Sequence, residues 1–236
     1  MKRIVGIDIF RGLAIFLMVV FHFCYDLNYF KFAHIPLYSS EFWLDFRLVI
    51  VNMFLITAGI SLALLHRDGI KWSSVKHRVV TLGLACLAIS VVTYFVFPHT
   101  WIYFGVIHFI LVASIVGLLF VKFPKVSLAL AVAILIAYFF YNFNMHPIFR
   151  QVAPILHLPM RHTEDLVPFI PWFSATLIGI AIFGLGWYNW LFKNRVFEAN
   201  THVHKFLATI GKRSLLIYLI HQPILFGLMY IVWSFS

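Results

Sequence analysis

Seven times along the chain an apolar run of about twenty residues recurs, the length a helix needs to cross a hydrocarbon core about 30 Å thick. The runs fall at about Ile9 to Tyr29, Leu44 to Leu65, Val79 to Phe97, Trp101 to Phe120, Ser127 to Phe143, Phe169 to Trp190 and Ser214 to Trp233. Strands of a membrane barrel would instead alternate apolar and polar over about ten residues. The pattern therefore requires helices. Composition agrees, since 63% hydrophobic and 11% charged residues in a chain of 236 leave too little polar surface for a soluble globule. The expected architecture is an all-α polytopic bundle of about seven transmembrane helices. It fills residues 1–236 as a single membrane domain, with no repeat, soluble domain or low-complexity tail. The two long connections, 144–168 and 191–213, read as loops.

Charge placement sets the orientation. With the N-terminus in the cytoplasm, 14 of the 18 Lys and Arg lie inside, and only Lys31, Arg47, Arg150 and Arg161 lie outside. Losing or adding one span would scramble that asymmetry. The formal charge of +10 is thus mostly an orientation signal, and no contiguous basic face on a soluble domain points to nucleic acid. The first run is too long for a signal peptide and lacks a small-residue cleavage site, so the first helix is expected to remain. The partner the chain must have is the lipid bilayer; a homo-oligomer is left open.

Ionisable groups inside the spans are costly, roughly 2.5 to 3.5 kcal/mol for a central Arg, Lys or Asp, and each calls for a partner or a watery cavity. The stretch "DIFRGLAIFLMVVFHFCYDLNYF" carries three, Arg11, His22 and Asp26. Eleven residues put Arg11 and His22 on one helical face, about 16 Å apart along the axis. Asp26 follows His22 by four, where a carboxylate can accept from one imidazole nitrogen and raise the basicity of the other. A general base needs that arrangement. His108 stands at a depth similar to that of His22 and could donate to an oxyanion or orient a substrate. His221, about 10 Å in from the cytoplasmic end of the last span, would meet a donor molecule earlier. Gln222 adds an amide donor, and Pro223 frees a carbonyl one turn back, so a polar cavity is expected there. Plainer readings stand beside these: Arg11 as a cytoplasmic anchor, Asp26 as a bridge to Arg47, and His108 and His221 as interhelical hydrogen bonders. In the outer loop, Asp165 could bind a sugar hydroxyl or an amine, and Trp172 is either a belt anchor or a stacking platform. Neither metal-ligand spacing nor a phosphate loop nor a nucleophile elbow occurs.

"IDIFRGLAIFLMVVFHFCYDL", "IYFGVIHFI" at Ile102 to Ile110, "DLVPFIPWFSATLIG" at Asp165 to Gly179 and "GKRSLLIYLIHQPIL" at Gly211 to Leu225 resemble, in order, bacterial membrane proteins grouped with the catalytic domain of heparan-alpha-glucosaminide N-acetyltransferase. The spacing of Arg11 and His22 also resembles the first-helix motif of the broader transmembrane acyltransferase superfamily. That resemblance implies an acyltransferase of the bacterial cytoplasmic membrane. It would move an acetyl group from cytoplasmic acetyl-CoA to a hydroxyl or amine of a sugar or glycoconjugate on the far side. His22, Asp26 and His108 are then the catalytic candidates, and Arg11, His221 and Gln222 face the acetyl-CoA. His34, Asp165 and Trp172 face the acceptor. In the lysosomal member of the family the proposed active histidine follows the first helix, and His34 is its nearest counterpart here, a rival to His22 as the base. Two other classes stay open from the residues alone. A proton-coupled transporter would use the same Asp and His as a relay. A haem-binding electron-transfer protein would need His22 and His108 as a facing pair.

Overall fold

The computed structural model describes residues 4–159, 163–198 and 201–235. Helices α1 (Val5–Tyr29), α2 (Glu41–His66), α3 (Trp72–Val96), α5 (Pro124–Tyr141) and α11 (Ser214–Ser234) are long and apolar enough to cross a membrane. Two more apolar helices, α4 (Val106–Gly117) and α7 (Phe169–Gly184), are shorter. Polar or amphipathic α6 (His146–Ile155), α8 (Tyr188–Phe192), α9 (Arg195–Glu198) and α10 (His202–Lys212) complete the order. Among the described residues there is no strand, only an isolated bridge between Phe104 and Leu166. The chain is a helical membrane protein.

All seven apolar runs hold helix, with two changes of boundary. The run at Trp101 becomes helical only at Val106, because the segment before it is tied to the 163–167 loop. Val167 N–H donates to the Phe104 carbonyl (3.1 Å) and Thr163 Oγ1 to the Trp101 carbonyl (2.8 Å). The run from Phe169 to Trp190 breaks after α7, where Gly186 takes a positive φ of 79° that ends the helix. The two expected loops also contain helix, α6 in one and α9 and α10 in the other.

The chain divides into two compact units. One gathers residues up to Phe54 and from Tyr188 onward; the other is Leu55–Trp187. In the first, Ala14, Ile15 and Met18 of α1 bury themselves with Ile50, Met53 and Phe54 of α2, flanked by Ile217 and Tyr218 of α11. In the second, the short helices are buried together with the end of α2: nine residues of α7 and seven of α4 are buried, and Leu55, Ile60 and Leu62 of α2 with them, against three in α3 and two in α5. Helices too short to reach both interfaces must be surrounded by protein, since lipid cannot satisfy the backbone at their ends. Gly59 of α2 and Gly179 of α7 let those two backbones touch, since a Cβ on Gly59 would overlap the Thr176 carbonyl and one on Gly179 the Ile56 carbonyl.

Candidate active site

The first unit is organised by two small residues. Gly12 of α1 faces the Leu207 carbonyl of α10, and Gly211 of α10 faces the Asp8 carbonyl of α1; a Cβ on either would overlap the partner's backbone. As one number rises the other falls, so α10 runs antiparallel along the start of α1. The chain then reverses at Arg213, and α11 runs beside α1 in the same direction, His221 lying against His22, Gln222 against Asp26 and Phe226 against Phe30. His221 stands seven residues into α11, about 10 Å along its axis from Ser214. The two imidazoles meet, with ring centroids 4.8 Å apart and planes inclined at 72°. One turn further along α1, Gln222 Nε2 donates to Asp26 Oδ1 across 2.7 Å.

Backbone carbonyls fix both rings. His22 Nδ1 lies 2.9 Å from the Met18 carbonyl oxygen, and His221 Nδ1 2.7 Å from that of Tyr218. A carbonyl only accepts, so each Nδ1 carries the proton and each Nε2 is left with a lone pair when the ring is neutral. His221 is buried and Asp26 wholly so. Three buried atoms of the cluster, Asp26 Oδ2, Gln222 Oε1 and His221 Nε2, have no hydrogen-bond partner among the described residues. Paired as they are, all three are acceptors. Buried acceptors without donors are rare in folded proteins and mark a place built for something that donates.

Two expectations about this face are corrected, and the amide donor expected at Gln222 finds its acceptor in Asp26. The His22–Asp26 hydrogen bond does not form. Helical side chains lean toward the preceding turn, which brings His22 Nδ1 to Met18, while the short Asp26 side chain reaches sideways to Gln222 rather than to His22 or Arg47. His221 is not the outlying member nearer the donor side but the neighbour of His22, because α11 packs along the second half of α1, with Gln222 against Asp26. Gln222 spends an amide hydrogen on Asp26.

The other candidates fall elsewhere. Arg11 is half-buried on α1 with a guanidinium nitrogen 3.8 Å from Asp8 Oδ1, an i, i+3 pair legible in the sequence but not drawn from it. His34 is exposed in the loop after α1. In the second unit, His108 is engaged on both nitrogens: Gly105 N–H donates to Nδ1 (3.3 Å), and Nε2 lies 3.0 Å from Ser90 Oγ, which itself donates to the Ile102 carbonyl (2.8 Å). It closes the start of α4, and this geometry leaves it no free lone pair. Asp165 serves the same helix end, accepting from Val106 N–H at 2.8 Å, and Glu164 accepts from Thr100 Oγ1 at 2.7 Å. Trp172 is half-buried near the start of α7, after Ile170, whose backbone is extended. Among the described residues no group of three or more His, Cys, Asp or Glu is placed to hold a metal ion.

Residues 3–223 match the model of a family described as heparan-alpha-glucosaminide N-acetyltransferase, catalytic. No curated protein and no solved structure matches the chain at a significant level.

Proposed function

The chain belongs to the heparan-alpha-glucosaminide N-acetyltransferase catalytic family, a membrane acetyltransferase family, and from that premise we propose that it transfers an acetyl group from cytoplasmic acetyl-CoA to a hydroxyl or amine of a sugar or glycoconjugate. The acceptor is presented on the far side of the membrane, in our reading the bacterial cytoplasmic membrane. The observation that carries the proposal is the His22–His221–Asp26–Gln222 cluster, with its oriented imidazoles and unpartnered acceptors.

His22 is the base. Its Nδ1–H is held by Met18, so Nε2 can take the proton from the acceptor oxygen or nitrogen as that atom attacks the thioester carbonyl. The collapse of the tetrahedral intermediate expels the CoA thiolate, which receives the proton back. Asp26, Gln222 and His221 receive hydrogen bonds from the acceptor and hold it against His22, a role in place of the imidazole-orienting one expected for Asp26. The Arg11 guanidinium and the basic segments of 67–78 and 193–213 favour the anionic donor on the cytoplasmic side. His108 has a structural role at α4.

The topology that goes with this reading has seven crossings, the N-terminus in the cytoplasm and the C-terminus outside. The short α4 and α7 cross within the second unit, and both units form one acyltransferase domain. Incubating membranes that contain the protein with labelled acetyl-CoA tests the reading. Label should pass to lipid-linked or polymeric sugars; label that stays in acetyl-CoA across all sugar acceptors, or passes only to water, counts against it.

A further inference from the structure

In the second unit, α6 lies along the rim where α5 ends and α4 and α7 begin. Just before it, Met145 N–H donates to the Ile170 carbonyl at the start of α7 (3.3 Å). Within it, the Phe149 ring packs on Tyr103 and Phe104, immediately ahead of α4, with centroids 6.0 and 5.5 Å apart. Ala153, one turn on from Phe149, is buried as well, so α6 rests on the rim by this side. A second side carries an apolar stripe. At about 100° per residue, Ile148, Val152 and Ile155 fall within an arc of about 60°. That arc is not the resting side, since Ile148 is 50% and Ile155 73% exposed. Arg150 and Pro154 are also exposed, and they stand about 100° or more from each member of the stripe.

The surroundings of the stripe say what covers it. Helix α5 is long and apolar enough to cross a membrane, and it ends in Phe139, Phe140 and Tyr141, all exposed, with exposed Phe143 just beyond. Such a run of open rings marks the boundary between acyl chains and water. The stripe begins five residues after Phe143 and continues that lipid-facing surface around the rim. The stretch 142–158 holds Arg150 and neither Asp nor Glu, so nothing in it is repelled by phosphate headgroups. An apolar side dipping about 5–10 Å into the headgroup boundary, with a basic side above it, is the pattern of a helix lying in the membrane surface. We propose that α6 is an interfacial helix, with Ile148, Val152 and Ile155 among the lipid acyl chains of the leaflet where α5 ends and Arg150 toward headgroups and water. The inference goes beyond the acyl-transfer reading and does not require it.

The test reads depth. Single nitroxide labels are attached through Ile148→Cys, Ile155→Cys or Pro154→Cys in the full chain carrying Cys24→Ala and Cys86→Ala, reconstituted in vesicles of phosphatidylcholine and phosphatidylglycerol. Collision rates are compared for oxygen, which concentrates among acyl chains, and for a water-soluble nickel chelate. Labels at 148 and 155 should collide preferentially with oxygen, and the label at 154 with nickel. Phospholipids that carry a photoreactive group on the acyl chain give a second reading on the unsubstituted protein, where they should cross-link within residues 148–155; this reading decides alone should the cysteine-free chain fail to fold. Nickel access at 148 and 155 equal to that at 154 means that the stripe faces water, and overturns the proposal. Shielding of both positions from oxygen and nickel alike overturns it in favour of a second copy of the chain or another protein as the cover, and absence of any acyl-chain cross-link in α6 counts against it equally.

Discussion

Replacing Gln222 with leucine would remove the one side-chain hydrogen bond that Asp26 makes among the described residues. The carboxyl is 0% exposed, Oδ1 accepts only from Gln222 Nε2, and Oδ2 has no partner. Leucine nearly conserves volume, so the cost is chiefly an unsatisfied buried polar group, about 1–3 kcal/mol. At ~2–4 °C per kcal/mol for a chain of this size, we predict that Gln222→Leu lowers the unfolding temperature by several degrees. The double variant Asp26→Leu/Gln222→Leu removes both partners and should recover most of that loss, because no polar group is then stranded. Thermal unfolding of purified protein in nanodiscs, run as a double-mutant cycle, reads both numbers. A Gln222→Leu variant as stable as the parent, or a double variant no more stable than Gln222→Leu, would refute the pairing of α1 with α11 through these side chains.

Three further predictions follow from the same geometry. Gly211→Leu should drive α10 off α1 and sharply lower the yield of monodisperse protein, since overpacking costs about 1–3 kcal/mol or more and here the obstacle is the Asp8 backbone; Leu228→Ala, on an exposed position of α11, is the matched control expected to leave yield intact. His108→Ala should cost stability, about 1 kcal/mol as for a lost helix cap, yet leave turnover per folded molecule within severalfold of the parent; a hundredfold loss of turnover in folded protein would restore it as a reacting group. Reporter fusions at the C-terminus should be active only outside the cytoplasm, and activity confined to the cytoplasm would exclude the seven-crossing topology.

Long apolar runs were legible because the period and the length of a spanning helix are imposed by the bilayer itself, and α1, α2, α3, α5 and α11 lie where those runs lie. Helix α10 was hidden by its composition. Its apolar positions Val203, Phe206, Leu207 and Ile210 recur at helical spacing, but the surrounding His and Lys made the segment read as a basic loop. That omission displaced the site. Without α10 folded back along the start of α1, nothing in the sequence set His221 beside His22. The residues Arg11, His22, Asp26, His221 and Gln222 could be singled out from their cost in a membrane, whereas their partners could not. Met18 and Tyr218 act through backbone carbonyls, which carry no residue-type signal, and the Asp26–Gln222 pair joins positions 196 residues apart.

The central claim is that His22 takes the proton from the attacking acceptor. Removing a general base typically costs about 10²- to 10⁴-fold in rate. The most direct measurement is therefore the single-turnover rate of acetyl transfer by His22→Ala and, beside it, His34→Ala, each with acetyl-CoA binding measured on the same preparation. We predict that His22→Ala binds acetyl-CoA as the parent does and loses at least about a hundredfold in rate, while the exposed His34→Ala transfers normally. A His22→Ala protein that is folded, binds the donor and transfers at nearly the parental rate would contradict the claim, and loss of transfer in His34→Ala alone would move the base to the loop after α1.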